Sequence, residues 1–242
     1  MDATQLVTPR RGLIAAAAAG AALGLASCGK GEAKDKDVGA VEDLMREHGV
    51  LRRILVIYRA VAPAIRTASI SIDARQLWRA ADLFRRFGEA YHEQMLEEQH
   101  IFPQVMKAGG AGAALVPTLL AQHARGRQIT GYIQAKTADG AIAGTDAEPL
   151  GAALESFARM YEPHTAFEDT IVFQAWRNSL SAKQLDEAGD QFEDIEKATF
   201  KGDGFDMAVE EVAAVEHGLG LADLARYTAP GPPGSPPEVG LG

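Results

Sequence analysis

Apolar residues recur along most of this chain at steps of three and four, the period of a helix face. Leu44, His48, Leu51, Leu55 and Tyr58 form one such stripe and predict a helix over residues 41–66. A second helix is predicted over 74–108. Ser71-Ile72-Asp73 offers its N-cap, Trp78, Phe84 and Phe87 lie along it, and Gly109-Gly110-Ala111-Gly112 ends it. Leu119, His123, Gly126, Thr130 and Ile133 are the seam of a third helix over 113–137. Residues 138–147, with Gly140, Gly144 and Thr145-Asp146, read as a loop before a fourth helix over 148–180. Two more helices are expected over 181–199 and 205–227, the first opened by the capping-box pattern Ser181-Ala-Lys-Gln184. Long Val/Ile/Thr alternation is absent. The fold class is therefore all-α: a four-helix bundle over 40–180 with additional C-terminal helices over 181–228 packed on it.

The two ends depart from this pattern. Arg10-Arg11 precede an apolar run from Leu13 to Ala26, and the run closes as Leu25-Ala26-Ser27-Cys28. A charged start and a short apolar stretch read as a signal peptide over 1–27. The run falls short of the roughly 20 residues a membrane span needs. Its ending resembles a bacterial lipobox, which makes Cys28 the expected lipid attachment point and first mature residue. Thr8-Pro-Arg-Arg-Gly-Leu-Ile14 also resembles a twin-arginine export signal. The expected place is the bacterial cell envelope, on the periplasmic side, with the membrane as a partner through the lipid. Residues 28–39 are polar and aperiodic and read as a tether. Residues 229–242, rich in Pro and Gly, read as a disordered tail.

Composition narrows the function. The chain has 242 residues, a 47% hydrophobic fraction and a net charge of −9. That suffices for one domain with a sizeable core. No basic patch of the needed density is present, so nucleic acid is not an expected partner. Cys28 is the only cysteine, so no internal disulfide forms.

Candidate chemistry lies on the inward stripes. His164 and Glu168 are four residues apart, which on a helix places them on one face. Phe167, Ile171 and Val172 keep that side apolar, so the pair is expected to point into the core, where a charge needs a strong partner. Pro163 should kink this helix or mark a local irregularity. A second stretch repeats the pattern: Glu97-Glu98-Gln-His-Ile-Phe102 lies over Glu168-Asp169-Thr-Ile-Val-Phe173, and each has a Tyr and a His upstream. Two such helices, with His48 and His123 inward on two others, suggest a metal site between facing helices.

Glu47-His48-Gly-Val-Leu-Arg52, Tyr91-His92, Glu97-Glu98, Ile101-Phe102-Pro103, Gln122-His123-Ala-Arg-Gly-Arg127 and His164-x-x-x-Glu168 together resemble the hemerythrin, or HHE cation-binding, family over residues 40–177. The resemblance implies non-haem iron, as a di-iron site, and dioxygen or a related small molecule as its ligand. It implies binding rather than turnover of an organic substrate. Carried over, the terminal ligands are His48, His92, His123 and His164, and the bridges are Glu168 and one of Glu97 or Glu98.

Two departures leave alternatives. The family's second motif is His-x-x-x-Glu, but Leu96 stands four residues after His92, and Glu97 lies about 140° away on a regular helix. Either a π-bulge closes the gap, or the ligand stripe is Glu93, Glu97 and His100, as in the Glu-x-x-His element of ferritin-like proteins. Arg127 stands where oxygen-carrying members have a second histidine, which implies one metal with fewer protein ligands. A ferritin-like di-iron oxidase or peroxidase, or a metal-free helical interaction lipoprotein, are the alternative functions. His217 reads as surface or packing. Tyr58, Tyr91 and Tyr161 read as core tyrosines placed to hydrogen-bond ligands. No nucleophile elbow, phosphate loop or Cys-based metal motif is present.

Overall fold

A computed structural model describes residues 38–67 and 72–233. The expectations for the leader, for Cys28 and for the end of the tail fall outside these residues. Helix α1 spans Ala40–Thr67. Helix α2 covers 74–108 in three parts: α-helical Ala74–Leu83, π-helical Phe84–Ile101 and α-helical Phe102–Ala108. Helix α3 spans Gly110–Thr137. Helix α4 covers 144–178: Gly144–Phe167, a π-helical turn Glu168–Val172, and Phe173–Asn178. Helices α5 (Ala182–Phe200) and α6 (Gly204–Gly218) follow, then a 3-10 turn, Leu224–Tyr227. No strand occurs among the described residues.

The ends of these helices follow local chemistry. Asp73 caps α2 by accepting from the Arg75 amide. Ser181 and Gln184 complete both bonds of a capping box at α5. Gly109 and Gly110, at φ 78° and 77°, let the chain reverse between α2 and α3 with one linking residue, so α3 starts earlier than expected. The last predicted helix is shorter than expected. Gly220 takes φ 68°, and the Leu221 amide bonds back to the Glu216 carbonyl at 2.8 Å. That closure ends α6 nine residues before Tyr227.

The first four helices form a closed ring, with α1 on α4, α4 on α3, α3 on α2 and α2 on α1. Short connections make neighbours antiparallel. Ile54, Leu55, Tyr58, Leu77, Phe84, Phe87 and Phe157 fill one half of the core, and Phe102, Val105, Phe173 and Trp176 the other. Helix α6 lies on α1 and the start of α2, and α5 on α1 and the π-helical stretch. Among the described residues no helix is long and apolar enough to cross a membrane.

Between the two apolar halves lies a buried polar layer: Glu47, His48, Glu89, His92, Glu93, Glu97, His123, His164 and Glu168. Close packing admits this layer only where small residues make room. A Cβ on Gly126 would stand 2.0 Å from Tyr161 Oη. Gly126→Ala should therefore destabilise the fold by about 1–3 kcal/mol. Gly49, with nothing within 4 Å of its would-be Cβ, should instead gain about 1 kcal/mol as Ala. Chemical denaturation midpoints of the two variants check both signs.

Candidate metal centre

The π-helical geometry decides which side chains meet. The Phe102 amide bonds to the Glu97 carbonyl and the Phe173 amide to the Glu168 carbonyl, each five residues back. An i→i+5 repeat stacks residues five apart instead of separating them by 140°. His92 and Glu97 consequently face the same centre, with His92 Nε2 3.6 Å from Glu97 Oε1. Helix α4 stays α-helical past Pro163 as far as Phe167, and its irregularity lies at Glu168–Val172 instead. His164 lies one α-helical turn before Glu168, the first residue of that π-helical turn, and the two stand 3.1 Å apart at the regular spacing of four. Phe167, expected inward, is 48% exposed.

The four histidines meet in two pairs. His48 Nε2 lies 3.0 Å from His92 Nε2, and His123 Nε2 3.2 Å from His164 Nε2. Glu97 reaches both pairs, 3.6 Å from His92 and 3.4 Å from His123. Glu168 also reaches both, 3.5 Å from His48 and 3.1 Å from His164. His48, His92 and Glu97 form one metal-sized group, and His123, His164 and Glu168 another.

Every Nδ1 atom faces outward and is held. His48 pairs with Asp169 Oδ1 at 2.7 Å and His92 with Glu47 Oε2 at 2.5 Å. His123 pairs with Glu98 Oε1 at 2.9 Å and His164 with Gln122 Oε1 at 2.8 Å. Such acceptors make Nδ1 the protonated nitrogen and leave the Nε2 lone pairs aimed at the centre. Glu98 is thus turned to the back of His123 and to Arg127, while Glu97 takes the central place. His100 packs its ring on Phe192, 5.8 Å between centroids, away from the centre. His217 is exposed on α6.

Arg127 also has a place of its own. It donates to Glu98 at 2.9 Å and to Glu93 at 3.2 Å. Glu93, Glu98 and His123 would make a third metal-sized group, but this guanidinium already supplies its positive charge. Arg52 is its counterpart on α1, bonded to Asp169 and Thr165. Each histidine pair therefore has two imidazoles and access to both central carboxylates. Tyr91 and Tyr161 donate to Glu47 and Glu93, at 2.9 and 2.7 Å.

The electrostatics of this layer favour a cation. None of the four oxygens of Glu97 and Glu168 has a hydrogen-bond partner, and both side chains are fully buried. Burial pushes both carboxyls up to about 8, and for Glu97 the neighbouring Glu168 adds to it. Burial holds His48 down to about 3 and His123 down to about 4, and it also lowers His164. Burial acts on His92 in the same sense, but Glu97 and Glu47 outweigh it and raise this imidazole well above 6.5. Three imidazoles held neutral by burial, together with two carboxyls that lack hydrogen-bond partners in one dry cavity, suit a cation, which is the fit expected of a metal centre.

Glu47, Gln122 and Asp169 were not among the candidate site residues. A signal was available: each adjoins one of the central residues in sequence. On a helix a flanking residue points about 100° away, towards the imidazole of the neighbouring helix.

Residues 39–176 match the model of a family described as the hemerythrin HHE cation binding domain. An uncharacterized protein of Mycobacterium bovis is 42% identical over 192 residues, covering 79% of this chain and 74% of that protein. Uncharacterized proteins of two Mycobacterium tuberculosis strains match to the same extent. No solved structure matches the chain. A family match over the four bundle helices, on a bundle whose histidines and glutamates gather into adjoining cation-sized groups, makes this chain a member of the hemerythrin HHE cation-binding domain family.

Proposed function

We propose that this protein binds non-haem iron as a two-ion centre and uses it to hold dioxygen or a related small ligand. His48 and His92 would hold one ion and His123 and His164 the other, with Glu97 and Glu168 bridging both. The observation that carries this reading is the set of four partnerless, buried carboxylate oxygens among four inward Nε2 atoms. Bound there, iron would supply an open coordination position for the small ligand. The protein's own part is to fix the imidazole tautomers through Glu47, Glu98, Gln122 and Asp169. Phe173, stacked on His48, and Phe102, stacked on His123, help keep water from the centre. The reading also places the domain on the periplasmic side of the envelope, tethered by a lipid on Cys28. Its support is the sequence Leu25-Ala26-Ser27-Cys28 after the apolar run.

Metal quantification with an optical spectrum tests the centre. Wild type should hold about two iron ions per chain. Glu97→Ala and Glu168→Ala should each lose most of the iron, whereas His100→Ala and His217→Ala should change neither content nor spectrum. Full iron in the Glu97→Ala/Glu168→Ala double variant would sink the assignment.

Proton competition gives a second test. In the folded, metal-free protein Glu93, Glu97 and Glu168 keep their protons to about pH 8, against an ordinary value of 4.5. The folded state therefore binds more protons than the unfolded one, and stability falls as pH rises through that window. The lowered histidines act in the opposite sense, but only below their ordinary 6.5. Between about pH 6.5 and 8 the melting temperature of stripped protein should thus fall. Iron-loaded protein should melt higher and lose much of this dependence, because the ion replaces those protons. Coincident melting curves across this range would argue for a metal-free bundle.

The anchor is tested separately. Cys28→Ser should release the domain from the membrane fraction or leave an unprocessed precursor. Normal processing with wild-type membrane retention would rule the lipid out.

A further inference from the structure

The contacts around the centre repeat pairwise between α1–α2 and α3–α4, and they fail to repeat at one place. His48 is backed by Asp169, which Arg52 also holds, and Arg52 reaches Thr165. His123 is backed by Glu98, which Arg127 also holds, and Arg127 reaches Glu93. Phe173 stacks on His48 and Phe102 on His123. On this side the two halves match. On the other side His92 is backed by the Glu47 carboxylate and His164 by the Gln122 amide. Glu47 and Gln122 occupy equivalent places, each one residue before its helix's histidine.

The difference is one of charge at the ligand's back. A carboxylate accepting Nδ1–H makes the imidazole a more basic ligand and delocalises part of the ion's charge; a neutral amide does this less. Three of the four imidazoles lean on carboxylates, and only His164 leans on an amide. Glu93 is the other carboxylate near the second position. Its oxygens are taken by Tyr161 and Arg127, and it stands 3.9 Å from His123 Nδ1. It therefore does not replace the missing backing of His164.

We propose that the two cation positions are unequal. The His48/His92 position fills first, the His123/His164 position holds the exchangeable ion, and Gln122 sets the difference. This rests on the two-ion reading above.

Anaerobic calorimetric titration of the metal-stripped full-length protein with ferrous iron tests it. Repulsion between two nearby cations gives two steps even for equal positions, so the variants decide the matter. His164→Ala should keep the tight first step and lose the second, whereas His92→Ala should lose the tight step. Gln122→Glu should strengthen the second step by about 10–100-fold and draw the two together. Glu47→Gln, also isosteric, should weaken the first step by a similar factor. Unchanged steps in Gln122→Glu, or equal losses in the two histidine variants, would overturn the inequality while leaving two ions bound. No iron uptake by wild type would instead overturn the two-ion reading itself.

Discussion

Two glutamates that are buried without a hydrogen-bond donor are the constraint around which this molecule is arranged. Burying one ionised carboxylate unpaired costs several kcal/mol, and here Glu97 and Glu168 lie in one cavity. Nothing the chain itself provides pays this back. His48, His123 and His164, kept neutral by burial with their Nδ1 atoms committed outward, present lone pairs rather than protons. The free protein answers by keeping protons on the carboxyls. The layer is thus poor in stability and rich in affinity for positive charge, as a binding centre must be.

The π-helical stretches follow from the same demand. A regular helix offers an inward face to residues three and four apart, and α2 must present His92 and Glu97 together while Phe102 still reaches His123. Five-residue repeats achieve this in α2, and α4 uses the same device from Glu168 to Phe173. The aromatic residue at the end of each repeat closes the site over the neighbouring histidine.

The helices after the bundle support one side of the centre more than the other. Phe200 of α5 packs edge-on to Tyr91 at 5.2 Å, behind the tyrosine that holds Glu47. Glu196, pushed up to about 7 chiefly by burial, accepts the Phe205 amide at the start of α6. These helices thus shield the back of the His48/His92 pair. Glu98, which backs His123, remains partly exposed, whereas Asp169, which backs His48, is buried. The inequality proposed for the two positions and this uneven cover run in the same direction.

Heptad-like spacing by itself determined the number and order of the helices, because burying a stripe of Leu, Phe and Ile needs only local periodicity. Caps were equally local: Ser181 with Gln184, Asp73 before α2, and the glycines after Ala108. Gly220 was present in the sequence too, yet the end of α6 was missed, since helix continuation and a left-handed closure compete within one turn. The inward histidines and Glu168 were legible from their stripes. The choice of Glu97 over Glu98 was not, because a one-residue change of face depends on whether α2 winds with four- or five-residue bonds. The role of Arg127 was also beyond local reading. One turn from His123 it resembles a displaced ligand, and only the approach of Glu93 and Glu98 from the neighbouring helix makes it their counterion. Helix propensity and amphipathicity act within a few residues. Charge compensation in a dry core is settled by groups that meet across the bundle, and that is why tertiary structure alone decided it.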